Sequence, residues 1–322
     1  MDPRLIGLSL TECRGDEADR LDLSLSDHDG LLDIPGKGVE LSLAIGWADT
    51  GLVDKGTFVV DETEHTGAPD MLTIRARSAE LRQSLRVRAE HSYHRTTVGA
   101  IVGTIAGRNQ LTPRVDPTLA ALPVEHIDQI GESDVNFLTR LAKQHDAVCT
   151  VKRDRLLFLP INGTTTSGGQ PLQAVAITRA SGDNHRYHTS DRDAYSGVRA
   201  YWHDPGKAKR RGVLVGASGN AKRLRETYAN ATDALRAAKA EYQRVKRGAS
   251  TLELTLALGV PLLGPQVPVS VAGFKPQIDG TSWLTVKTTH TMGDAGFHTR
   301  VELENADAPA PGANYTPDDD AD

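Results

Sequence analysis

Apolar residues recurring at every second position set the strongest limit on what this chain can fold into. Leu21, Leu23 and Leu25 alternate with Asp22, Ser24 and Ser26, and Val39, Leu41, Leu43 and Ile45 alternate with Glu40, Ser42 and Ala44. The period returns at Leu72 and Ile74, from Leu252 to Leu258, at Val267, Val269 and Val271, and at Val301 and Leu303. Successive side chains of a strand point to opposite faces, so this period predicts antiparallel strands with one face buried and one wet. Asp27-His28-Asp29-Gly30, Gly67-Ala68-Pro69-Asp70, Asp204-Pro205-Gly206 and Asp279-Gly280 supply turn chemistry between the runs.

Helical spacing breaks this pattern in three places. Thr96 or Thr97 can cap a helix running to about Arg108, and Ser133 can cap another with Leu138, Leu141, Ala142 and His145 on one face. Residues 78–146 therefore read as a mostly helical insert between β segments. In the third helix Thr232 is the expected N-cap, Leu235, Ala238, Tyr242 and Val245 form a stripe, Lys246 and Arg247 fill the last turn, and Gly248 ends it. Gly99, Gly103 and Gly107, four apart, predict close packing of the first helix against a neighbouring element.

An internal repeat is visible. Val39-Glu40-Leu41-Ser42-Leu43-Ala44 resembles Val267-Pro268-Val269-Ser270-Val271-Ala272. Phe58 stands seven residues before His65-Thr66, and Trp283 seven before His290-Thr291. A Gly follows each pair, then another alternating strand. Two copies of one β unit, one near each end, suit a ring-building subunit better than an enzyme.

Length and charge narrow the function. A chain of 322 residues is long enough for two or three domains. With 39% hydrophobic and 25% charged residues it is ordinary for a globular protein. Five of its 42 acidic residues and none of its 37 basic ones fall in 305–322, so the body is formally neutral. Such a body has no net field drawing it to nucleic acid or to an anionic membrane. Two isolated cysteines, Cys13 and Cys149, fit a reducing compartment, and Met1-Asp2-Pro3-Arg4-Leu5 lacks signal-peptide character, so folding in a cytoplasm is expected.

No motif supplies a convincing active site. Gly216-Ala217-Ser218-Gly219-Asn220 lacks the spacing of a nucleophile elbow, and Thr164-Thr165-Thr166-Ser167-Gly168-Gly169 lacks the Lys of a phosphate loop. His91 with His94, and His185 with His188, stand three apart without the partners a zinc site needs. Asp27 and Asp29 before Gly30 form only a fragment of a calcium loop and read as a tight turn. No metal and no cofactor is expected. The basic cluster Lys207, Lys209, Arg210 and Arg211 is the candidate contact loop, a solvated hairpin tip or a docking point for an acidic surface. It is too short, and too poor in interleaved aromatics, for nucleic-acid binding.

Several segments, in order, resemble one family. They are Asp27-His28-Asp29-Gly30-Leu31-Leu32-Asp33-Ile34-Pro35, Val60-Asp61-Glu62, Leu72-Thr73-Ile74-Arg75-Ala76 and His126-Ile127-Asp128-Gln129. Next come Glu132-Ser133-Asp134-Val135-Asn136-Phe137-Leu138-Thr139-Arg140-Leu141-Ala142, Tyr201-Trp202-His203-Asp204-Pro205 and Gly273-Phe274-Lys275-Pro276. This series resembles the phage late control D protein family, the baseplate hub of contractile tails, related to the hub part of VgrG spikes. The resemblance implies a mainly β fold with α insertions (α+β), built on two similar antiparallel β-barrel domains. Residues 1–77 would be the first part of barrel one, 78–146 the helical insert and 147–180 the return to barrel one. Residues 181–304 would be barrel two with one long helix, and 305–322 a disordered acidic tail.

The implied function is that of a structural hub subunit in a phage or tailocin baseplate, assembled in the bacterial host cytoplasm. A homotrimer would adapt a sixfold tail tube, or its initiator protein, to a separate trimeric spike. Tape-measure and baseplate wedge proteins are further partners. Neither a membrane nor a specific nucleic-acid sequence is among them. The competing class is a tail-tip enzyme such as a peptidoglycan hydrolase, which should show a concave site with convergent polar groups.

Overall fold

The structure, a computed structural model, describes residues 3–15, 17–78, 83–152, 154–161, 172–190, 195–206, 208–306 and 316–318. It is mainly β with α insertions. The first unit is made of β1 (Leu5–Cys13), β2 (Arg20–Ser26), β3 (Glu40–Trp47), β4 (Gly51–Thr66) and β5 (Met71–Ser78). The alternating apolar residues of β2 and of β5 (Leu72, Ile74 and Ala76) face one cluster with Leu8, Leu10, Phe58 and Val60.

The insert follows, as β6 (Arg88–Thr97), α1 (Val98–Arg108), β7 (Thr112–Val115), α2 (Pro117–Ala120), β8 (Pro123–Ser133), α3 (Asp134–Gln144), β9 (Ala147–Lys152) and β10 (Arg155–Pro160). Thr97 and Ser133 cap α1 and α3 through their hydroxyls, as their positions predict. Of the three spaced glycines only Gly99 lies in close contact, where a Cβ would come within 2.9 Å of Ala120 in α2.

Two expectations about this region change. The insert is not mostly helical, because β6 and β8 form a two-stranded ribbon within it. Residues 147–160 do not return to the first unit: β9 pairs with β10, and β10 with β7. The reason is burial. Ile101, Val102 and Ile105 of α1 and Phe137, Leu138 and Leu141 of α3 need a cover, and Val151, Leu156 and Phe158 supply it in one cluster.

The second β unit begins with β11 (Val175–Thr178) and β12 (Gly182–Thr189). A lobe interrupts it, with β13 (Gly197–Asp204), β14 (Lys209–Gly216), β15 (Ala221–Tyr228) and α4 (Ala231–Gly248). The N-cap of α4 is Asn230, not Thr232, and its side chain accepts from the Asp233 amide. Ala234 and Ala238 face Val198, Val213 and Val215, with Leu235 and Tyr242 at the margin. The unit then resumes with β16 (Ser250–Leu256), β17 (Pro268–Ala272), α5 (Pro276–Asp279), β18 (Trp283–Gly293) and β19 (Gly296–Asn305). Asp279-Gly280, read as a turn between strands, instead closes α5, where Asp279 accepts from the Gly273 and Phe274 amides. The segment expected to be a wholly disordered tail contributes β20 (Thr316–Asp318) beside β14.

The sheets are not closed barrels. One path runs β12-β16-β19-β18-β1-β2-β5-β4-β3, with β17 also on β18 and β11 on β17. The two β units are thus halves of one sheet, welded where β1 pairs antiparallel with β18 from Gly7↔Gly293 to Cys13↔Lys287. The internal repeat maps onto matching meanders, β3-β4-β5 and β17-β18-β19, each with its longest strand in the middle.

Candidate assembly surface

The basic cluster sits at the β13–β14 hairpin. Lys207 lies outside the described residues. Lys209, Arg210 and Arg211 open β14, just after the Asp204-Pro205-Gly206 turn, in which Asp204 Oδ1 accepts from the Gly206 amide at 3.0 Å. The Arg210 guanidinium lies 4.0 Å from the Tyr201 ring, and that of Arg211 lies 5.9 Å from the Trp202 ring. Arg211 also stands 3.6 Å from the Asp204 carboxylate. Aromatics of β13 therefore hold these cations in place while Lys209 and Arg210 remain exposed. The arrangement makes a basic, preorganised hairpin end.

Exposed apolar side chains occur in both β units and in the insert, among them Ile6 of β1, Val87 just before β6 and Ile130 (75% exposed) of β8. Leu31 (75% exposed), Ile34, Val39 and Leu52 belong to the first β unit. Leu258 and Leu262 (both 69% exposed) lie in the loop between β16 and β17 of the second.

Behind these surfaces lie two buried charged junctions that alternation and spacing do not reveal. In the first, Arg247 at the end of α4 is 3% exposed. Its Nη1 donates to Asp146 Oδ2 at 2.7 Å, its Nη2 to Asp146 Oδ1, and its Nε to Glu304 Oε1 at 3.1 Å. Arg14 Nη2 donates to Glu304 Oε2 at 3.0 Å. Burial works against the Arg247 charge, but the hydrogen bonds and charges of Asp146 and Glu304 outweigh it, so its pKa goes up. Four residues thus tie the loop after β1, the turn between α3 and β9, α4 and β19.

The second junction lies near the weld. Lys55 of β4 donates to Glu12 Oε2 at 2.6 Å and to the Leu263 carbonyl at 3.1 Å. His290 Nε2 lies 3.4 Å from the same Glu12 oxygen, and Lys152 of β9 donates to Asp19 at 2.8 Å. Burial alone would raise the Glu12 pKa. The His290 hydrogen bond and the Lys55 charge reverse that and hold it at about 2. The available sequence signal was phase: Leu8, Leu10 and Glu12 share one face of β1, so a carboxylate follows two core leucines.

The other sequence candidates serve structure. Asp27 Oδ1 accepts from the Leu32 amide, and Arg4 grips Asp29 with two hydrogen bonds, so this segment is a braced turn. His94 stacks on His126, with Nδ1 atoms 3.0 Å apart, and His126 Nε2 meets Asp128 at 3.0 Å. His91 lies beside Tyr93, and His185 meets the Phe274 ring edge-on. Among the described residues no three His, Cys, Asp or Glu side chains converge as a metal would require. Burial pushes the Cys149 thiol up to about 12, leaving it protonated and unreactive. A groove of about 420 Å³ separates the insert from the α4 lobe, with His126, His145, His203, Glu226 and Arg236 in its walls. Burial first, and the Arg236 charge second, push His145 down to about 4. No helix among the described residues is long and apolar enough to cross a membrane.

Known proteins share this arrangement. Residues 18–296 match the family described as phage tail baseplate hub (GPD). The probable baseplate hub protein of Escherichia phage 186 is 42% identical over 94% of this chain and 88% of its own length. The 43 kDa tail protein of prophage MuSo2 from Shewanella oneidensis superposes with a TM-score of 0.73 at 18% identity, covering 94% of this chain and 95% of the other. An E. coli type VI secretion component, itself structurally similar to the T4 tail proteins gp27 and gp5, superposes with a TM-score of 0.56 at 14% identity. It covers 93% of this chain and 73% of that one. The chain belongs to the phage tail baseplate hub family and is a structural component of the virion tail, not an enzyme.

Proposed function

We propose that three copies of this chain form a ring joining a sixfold tail tube to a separate trimeric spike. The observation that carries this reading is the pair of matching meanders, β3-β4-β5 and β17-β18-β19, held in one sheet by β1 and β18. Two similar units in each of three copies offer six similar stations on one side and threefold symmetry on the other. The ring contact is a heterologous one between copies. Leu31, Ile34 and Leu52 of one copy's first unit meet Leu258 and Leu262 of the next copy's second unit. Apolar side chains this exposed on both β units suit a contact between copies of the chain. Tube, tape-measure and wedge proteins are the remaining neighbours. The basic end of β14 is the station for an acidic surface.

Mass in solution tests the ring. The 34.7 kDa chain should run as a trimer, alone or on adding its spike protein. Leu31→Asp and Leu262→Asp should each leave a folded monomer. A wild-type chain that stays monomeric with both tube and spike proteins present would overturn the reading.

A further inference from the structure

The C-terminal strand β20 lies antiparallel to the middle of β14. Thr316 stands opposite Leu214, Pro317 opposite Val213 and Asp318 opposite Gly212. Without it β14 would be an outer strand, since the sheet order is β15-β13-β14-β20. An outer strand offers a row of unpaired N–H and C=O groups that any extended chain can join. We propose that this edge of β14 is a strand-addition site for an extended acidic peptide, and that the chain's own C-terminus is its resident ligand. The proposal stands independently of the trimer.

Direction and charge support it first. Because the pairing is antiparallel, the chain at Asp318 is heading toward the start of β14, where Lys209, Arg210 and Arg211 stand. Four of the last five residues are acidic, namely Asp318, Asp319, Asp320 and Asp322, and residues 305–322 hold no Lys or Arg. The receiving cations are partly preorganised over Tyr201 and Trp202, which lowers the ordering cost of using them. Asp204 beside Arg211 offsets part of that positive field.

Backbone chemistry supports it second. Gly212, Val213 and Leu214, the residues paired with β20, are all buried, Val213 in the cluster under α4. Proline is tolerated in outer strands, and Pro with charged residues blunts an edge against further pairing. Thr316-Pro317-Asp318 has that composition, so β20 both occupies the β14 edge and makes a poor template beyond it.

Tethering supports it third. Only nine residues separate Ala306, whose amide donates to the Ser282 carbonyl, from Thr316. A short tether gives the tail an effective concentration on the order of millimolar. Any acidic segment that adds a strand here must displace it.

Hydrogen exchange over 209–216 tests the site, comparing the full chain with one ending at Ala306. Truncation should speed exchange there by about tenfold or more and leave β16 and β18 unchanged. A synthetic peptide of residues 313–322 should bind the truncated chain and restore protection. The same peptide with its four terminal Asp replaced by Asn should bind about fivefold more weakly, the gap closing as salt rises. Binding to the full chain should be weaker by about tenfold or more, because the resident tail competes. Unchanged exchange on truncation, or a peptide that binds both chains equally, would overturn the proposal. Should the truncated chain fail to fold, the full chain carrying the four Asp→Asn changes decides. Faster exchange at 209–216 supports the site, and unchanged exchange rejects it.

Discussion

Arg247 and Asp146, 101 positions apart in sequence, meet through two parallel hydrogen bonds in a site where both side chains are buried. The fork fixes the end of α4 against the turn that leads from α3 into β9. It also places the lobe and the insert on one anchor, because Glu304 of β19 shares the same guanidinium.

Arg247→Ala should therefore destabilise the protein by about 4 kcal/mol, since it strands the buried Asp146 carboxylate and leaves Glu304 to Arg14 alone. Replacing Arg75, whose partner Glu62 is exposed, should cost no more than about 0.5 kcal/mol. Chemical denaturation of the two variants makes the comparison, and equal losses would refute it.

Acid should weaken the fold in two stages. His145 stays neutral down to about pH 4 in the folded protein but takes up a proton near 6.5 once unfolded. The unfolded state thus binds more protons between those values, and stability falls as pH drops through that window. Glu12 keeps its charge down to about 2 when folded, against 4.5 unfolded, and adds a second loss below pH 4.5. That second loss is on the order of 3 kcal/mol. Melting temperature against pH should flatten between 4 and 6.5 in His145→Gln and below 4.5 in Glu12→Gln, although Glu12→Gln also lowers the plateau.

The face of α4 can be mapped by charge. Ala238→Asp, at a fully buried position against β13 and β14, should cost about 3 kcal/mol or more. Leu235→Asp, at the margin, should cost less, about 2 kcal/mol. Lys239→Ala, on the exposed side, should change stability by no more than about 0.5 kcal/mol. A reversed order of the first two would mean that the stripe centred on Leu235 is the true core face.

Gly259 probes the contact between the β units. A Cβ there would stand 2.4 Å from the Phe297 ring, and the Gly259 carbonyl accepts from Trp47 Nε1 at 2.8 Å. Phe297 itself reaches from β19 into the first unit's core. Gly259→Ala should cost about 2 kcal/mol by overpacking, and Phe297→Leu combined with it should recover part of that loss. Non-additivity in the denaturation of single and double variants is the readout.

Sequence alone determined many of the local elements, though not the β6–β8 ribbon of the insert. Period two in β2, β3, β5, β16, β17 and β19 reports burial of one strand face, and the Thr97 and Ser133 caps report helix starts through hydrogen bonds made within three residues. The repeated meander was legible too, because equal folds leave equal spacing of apolar and turn residues. The ordered motifs carried the hub family across nearly the whole chain. Only the tertiary structure decided which strands are neighbours. The β1–β18 weld that turns two expected barrels into one open sheet joins residues about 280 positions apart. No local pattern encodes such a pairing, since an alternating strand satisfies its neighbours equally well on either side. The same holds for Arg247, which on its own helix reads as a solvated last-turn cation. Burial among Asp146, Glu304 and Arg14 becomes visible only when four distant segments converge, because the energy that fixes it belongs to the cluster and to none of its members.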